Sequence, residues 1–107
     1  MEINLQAISF HDSVIHKVIE DINTSDITYE IEFLVDWDKN IFENRKLIFR
    51  DTLNYEIKEI PFGSTKQILD IKELYEIKMN NIIRKYLIIE TNAGDRYLYC
   101  TKIELIK

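Results

Sequence analysis

The segment Asp26-Ile27-Thr28-Tyr29-Glu30-Ile31-Glu32-Phe33-Leu34-Val35-Asp36-Trp37-Asp38 alternates apolar and polar side chains over thirteen residues, with every odd position apolar. That period of two belongs to a β-strand with one wet face, because successive side chains on a pleated backbone point to opposite sides. Ile27, Tyr29, Ile31, Phe33, Val35 and Trp37 are expected to face a core. Thr28, Glu30, Glu32, Asp36 and Asp38 are expected to face water or a partner, with Leu34 as the exception on the polar side.

The same pattern recurs in shorter runs. Leu47 and Phe49 share a face in the segment from Arg45 to Asp51, and a hairpin whose polar connection runs through Asp38-Lys39-Asn40 to Glu43-Asn44 is the economical link to it. Tyr55, Ile57 and the run to Ile60 form a further strand, stopped at Pro61-Phe62-Gly63-Ser64, where proline removes a ladder donor and glycine tolerates positive φ. Beyond that turn the pattern is ambiguous. Ser64 or Thr65 is placed to cap a short helix carrying Ile68, Ile71 and Tyr75, yet Tyr75, Ile77 and Met79 have strand spacing. Asn80-Asn81 reads as a two-residue hairpin turn, since Asn accepts the left-handed conformation. Strands over Arg84–Thr91 and Arg96–Ile106 follow, around the turn Asn92-Ala93-Gly94-Asp95. The expected fold is mainly β, an antiparallel sandwich or partly open barrel in one domain over residues 1–107, with room for one short helix near 65–77.

Composition narrows the functional classes. With 14 Lys and Arg against 19 Asp and Glu the net charge is −5, the wrong sign for nucleic acid or an anionic membrane surface. No apolar run approaches the roughly 20 residues of a membrane-spanning helix, and the first residues lack the basic and apolar regions of a signal peptide. The single cysteine, Cys100, excludes an intramolecular disulfide and suits a reducing compartment, so a cytoplasmic location is expected.

Ile8-Ser9-Phe10-His11-Asp12-Ser13-Val14-Ile15-His16 gathers a serine, an aspartate and both histidines within nine residues. A Ser-His-Asp hydrolase would need those groups aligned, whereas on a strand His11 and Ser13 point one way and Asp12 the other. A zinc site from His11, His16, Asp12 and Cys100 has suitable ligand types but no recognised ligand spacing. The simplest account is a tight turn: Phe10 anchors the core, Asp12 or Ser13 accepts backbone N–H groups, and Val14, His16 and Val18 begin a strand. No catalytic residue, metal or cofactor is therefore assigned. Trp37 between Asp36 and Asp38 is either a core residue, as the alternation indicates, or a contact anchor. Tyr97 and Tyr99 share a face, suited to cross-strand packing or to an aromatic platform. Cys100 has no neighbours in sequence that would activate it.

Phe10-His11-Asp12-Ser13-x-Ile15, Ile31-Glu32-Phe33, Asp36-Trp37, Arg45-x-Leu47-x-Phe49 and Glu90-Thr91-x-x-Gly94 together resemble a pattern in small bacterial single-domain proteins, among them immunity proteins encoded beside polymorphic toxins. The resemblance implies a non-enzymatic protein that neutralises a toxin by stoichiometric binding, and it carries no catalytic role onto His11, Asp12 or Ser13. An acidic inhibitor matches a basic toxin domain electrostatically, which makes the outward carboxylates Glu30, Glu32, Asp36 and Asp38 the expected partner-binding surface. The alternative is a small-molecule-binding β-barrel lined by Tyr29, Phe33, Tyr86 and Tyr97. An exposed edge strand leaves pairing of two copies open.

Overall fold

A computed structural model of the chain describes residues 1–60 and 65–107. Among these, eight strands account for all the regular structure: β1 (Ser13–Asp21), β2 (Asp26–Asp36), β3 (Ile41–Arg50), β4 (Leu53–Glu59), β5 (Gln67–Met79), β6 (Ile82–Thr91), β7 (Gly94–Cys100) and β8 (Lys102–Ile106). All pair antiparallel in one sheet of order β4-β7-β6-β5-β1-β2-β3-β8. The mainly β, partly open architecture expected from the alternation is the one observed.

The two ends of that order are covalently close. Only Asp51 and Thr52 separate β3 from β4, and only Thr101 separates β7 from β8, so the terminal pairs β3·β8 and β4·β7 are halves of one bent ribbon. Backbone bonds run through the bend from Thr52 N to Ser25 O (2.8 Å) and from Thr101 N to Arg50 O (3.0 Å). Asp51 takes a positive φ of 51°, and Arg50 locks the corner by donating to Asp26 (2.8 Å) and Glu104 (2.5 Å). The sheet thereby curls over its own inner face. Its seam is open between β1 and β5, which share only the pairs Ser13↔Ile68 and Val14↔Gln67.

Tyr29, Phe10, Phe49, Ile31, Leu47, Ile68, Leu87, Ile89 and Leu98 fill the interior, all at most 2% exposed. Each large apolar side chain moved from water to such a site contributes roughly 1.5–3 kcal/mol. Gly94, at φ 143°, lies where β7 passes so near β4 that a Cβ would stand 2.3 Å from the Lys58 carbonyl oxygen; a side chain has no room there.

Residues 67–79 form strand, not helix. The edge of β6 needs a backbone partner, and the Asn80-Asn81 turn, with φ of 51° and 65°, folds β5 back to supply it, which satisfies donors that a free-standing helix would leave unpaired. The Pro61-Phe62-Gly63-Ser64 turn and the Ser64 cap lie outside the described residues.

The strict alternation of β2 ends early. A bulge between Leu34 and Asp36 inserts Val35 against β3 and reverses the parity that follows, so Val35 and Trp37 turn outward (40% and 54% exposed). The core face therefore holds Ile27, Tyr29, Ile31 and the half-buried Phe33; Leu34, opposite Phe42 in the regular ladder, is buried outside that cluster, and the expectation that Val35 and Trp37 join the core is corrected.

Candidate recognition surface

The His-Asp-Ser element is a turn at the base of the seam. Asp12 has φ 67°, Ser13 N donates to Phe10 O (3.0 Å), and Asp12 N donates to Ile68 O (2.9 Å), which ties the turn to β5. Phe10 anchors it, buried with its ring 5.4 Å from that of Phe33. The side-chain cap differs from the expected one: Ser9 Oγ, not Asp12 or Ser13, accepts the backbone N–H of His11 (3.3 Å).

Ser13 and His11 are not arranged as nucleophile and base. Ser13 is fully buried and its Oγ has no hydrogen-bond partner among the described residues, whereas His11 is exposed and uses Nδ1 to donate to Leu69 O (2.9 Å). Its Nε2 lies 3.4 Å from Asp12 Oδ1. His16 is elsewhere, with Nε2 3.1 Å from Glu32 Oε1. Cys100 is buried, and desolvation pushes its thiol up to about 12, so it stays protonated and unreactive at neutral pH. No group of three His, Cys, Asp or Glu side chains among the described residues is placed to hold a metal ion.

An unsatisfied buried hydroxyl carries a desolvation cost without a compensating bond. Ser13→Ala is accordingly expected to leave stability unchanged or raise it by up to about 1 kcal/mol, measured by urea denaturation. A loss of more than about 1 kcal/mol would show that Ser13 Oγ has a partner in solution.

The exposed feature that the turn supports is Trp37. Its indole lies nearly parallel to the His11 imidazole (11° between planes, centroids 6.3 Å apart), in the connection between β2 and β3. Asp36 Oδ1 accepts Lys39 N (3.0 Å) and Asn40 adopts φ 55°, so the tip is a closed turn that presents Trp37. Fixing an amphipathic ring on a closed loop lowers the entropy cost of using it as a contact.

The four outward carboxylates do not form one uniform patch. Asp36 and Asp38 flank Trp37, although Asp36 also holds the turn. Glu32 faces His16. Glu30 sits between Lys17 and Lys46 on the neighbouring strands, within a groove of about 420 Å³ that His16, Lys17, Arg45, Lys46 and Lys107 also line. Asp36 and Asp38 thus stand at the Trp37 tip, while Glu30 lies opposite a lysine on each neighbouring strand.

The four aromatics suggested as a barrel lining do not share one face of the sheet. Tyr29 is buried, Phe33 packs on Phe10, and Tyr86 and Tyr97 stack on the outer face (6.0 Å, 19°), since they alternate with the buried Leu87 and Leu98. On that outer face Leu53, Tyr99, Tyr86 and Tyr75 stand opposite one another across β4, β7, β6 and β5. Cross-strand packing is tight (Tyr86 to Tyr99, 4.4 Å), and Tyr75 and Tyr99 share a hydroxyl hydrogen bond of 2.9 Å.

Inside the sheet lies a charged network absent from the sequence reading. Arg96 donates to both carboxylate oxygens of Glu59 (2.6 and 3.1 Å) and to Tyr29 Oη (3.1 Å); Tyr29 Oη in turn meets Tyr55 Oη, and Lys66 reaches Glu59 (2.8 Å). Both members of the Arg96–Glu59 pair are about 5% exposed. Its signal was local: in Arg96-Tyr97-Leu98-Tyr99-Cys100 the arginine occupies the parity of the buried Leu98 and Cys100, a charged residue on the apolar side of a strand. Every group in the network is paired, so it holds the fold and leaves no open chemistry.

No protein-family model and no curated protein matches this chain.

Proposed function

We propose that the chain is a non-enzymatic protein-binding module, an immunity-type protein that neutralises a bacterial toxin by stoichiometric binding in the cytoplasm, with the Trp37 tip as its contact anchor. The observation that carries this reading is the bulge in β2, which turns an aromatic ring out of the core and seats it on His11 between two aspartates. Exposing Trp37 forgoes the burial that the strand's own alternation offered it, and an aromatic anchor ringed by charge is the kind of residue that dominates binding interfaces. The net charge of −5 favours a basic partner domain and fast, salt-sensitive association. Glu32 and Asp38 extend the acidic rim; Glu30, between lysines, contributes least.

The test is affinity capture of the tagged chain from its source cells, identification of a stoichiometric partner by mass spectrometry, and calorimetry with the purified pair. Trp37→Ala is expected to weaken that complex by about thirtyfold or more, near 2 kcal/mol, with little change in folding stability because the ring is mostly exposed. Asp38→Lys is expected to slow association and flatten its salt dependence. Full affinity in both variants would overturn the assignment of the tip.

A further inference from the structure

β5 is interior in the strand order, yet most of its length has one free side. It meets β1 only at Gln67 and Ile68, and Leu69 O is taken by His11; from there to Met79 it pairs only with β6 among the described residues. Residues 72–78 are exposed throughout, including Leu74, Tyr75 and Ile77 at 48%, 46% and 38%. An exposed edge that mixes apolar and charged side chains and has no backbone partner on one side among the described residues is a template for another strand of complementary pattern.

The ladder restricts what can pair there. Leu74 is a bulge, unopposed between Glu73↔Leu87 and Tyr75↔Tyr86, so the regular stretch runs from Tyr75 to Met79. Directly opposed residues in an antiparallel pair share a face. A two-fold axis joining two copies of this edge must therefore pass through a residue, not between two. Through Glu76 it sets two carboxylates against each other, and through Lys78 two ammonium groups. Through Ile77 it sets Glu76 opposite Lys78 of the second copy, twice, with Ile77 against Ile77 and Tyr75 against Met79. That register also continues the outer row Leu53–Tyr99–Tyr86–Tyr75 onto a thioether, a favourable neighbour for an aromatic ring.

We infer that two copies of the chain associate through the β5 edge, antiparallel about an axis at Ile77, to give a continuous sheet across the dimer. The surface is distinct from the Trp37 tip and does not rest on any partner reading. A five-residue ladder is short beside a standard interface, so the expected dissociation constant is roughly 10–100 μM.

Sedimentation equilibrium from about 1 μM to about 1 mM tests it. The wild-type chain is expected to dimerise over that range. Glu76→Lys and Lys78→Glu each replace two attractive cross-strand pairs by two repulsive ones, and each is expected to weaken self-association by roughly tenfold or more while circular dichroism shows an intact fold. Mixed together, the two variants become complementary and are expected to form a heterodimer at least as tight as the wild-type dimer. A wild-type chain that stays monomeric, a dimer indifferent to either substitution, or a mixture that fails to associate overturns the inference. If a variant unfolds, Ile77→Lys, which sets two ammonium groups on the axis and removes no cross-strand pair within the chain other than Ile77↔Arg84, supplies the same reading.

Discussion

Arg96→Met is expected to remove about 3–5 kcal/mol of folding stability, the largest single-residue effect in the molecule. Arg96 and Glu59 form a bidentate pair sealed inside the sheet, so truncating the cation leaves a carboxylate desolvated with only Lys66 and the Thr91 hydroxyl beside it. The Tyr29 hydroxyl also loses a donor, although Tyr55 still meets it. Domains of this size commonly have about 5–15 kcal/mol in total, so the variant sits near the edge of folding. Urea denaturation of the wild type, Arg96→Met and the double variant Arg96→Met/Glu59→Leu separates the causes. The double variant is expected to recover most of the loss, because it removes the stranded charge and replaces the pair by apolar contacts. A single-variant loss below about 1 kcal/mol would mean that water reaches the pair and screens it.

Acid is expected to destabilise the fold by about 3 kcal/mol through Glu59 alone. Burial by itself would raise this carboxyl, but hydrogen bonds from Arg96 and Lys66 outweigh burial and bring it down to about 2 from an ordinary value of 4.5. Between those values the unfolded chain binds the proton and the folded chain does not. The contribution is therefore complete above about pH 4.5 and is lost as the pH falls towards 2, at about 1.4 kcal/mol per pH unit. Asp26 acts in the same direction: burial opposes, yet the Asp51 backbone N–H and the Arg50 guanidinium hold its carboxyl below the usual range. Denaturation midpoints followed from about pH 7 to about pH 2 should fall steeply for the wild type and less for Glu59→Gln, which is weaker at neutral pH and converges with the wild type in acid. Parallel pH profiles for the two proteins would remove Glu59 as the source.

Strand content was readable because alternation is a local property. Ile27, Tyr29 and Ile31 take the core positions that their parity indicates, and Asn80-Asn81 makes the hairpin turn that two adjacent asparagines favour. The run Phe33-Leu34-Val35 marked the place where alternation fails, three apolar residues in succession, but not which of them would be the extra one. That choice belongs to the pairing with β3, where Leu34 meets Phe42 and Asp36 meets Ile41, and it decides that Trp37 is displayed instead of buried. The candidate surface is thus the product of one inserted residue. That Glu30 stands opposite Lys17 and Lys46 is likewise a matter of cross-strand register.

By itself the sequence determined that this chain is built of antiparallel strands with polar turns, because a period of two and left-handed-tolerant asparagines act within a few residues. Tertiary structure decided the rest. The curl of the sheet through the Asp51-Thr52 and Thr101 corners, the union of Glu59 with Arg96 across 37 residues, the exposure of Trp37 and the free edge of β5 all depend on which strand lies beside which. Those choices are settled by long-range burial and backbone pairing, whose energies no local pattern carries.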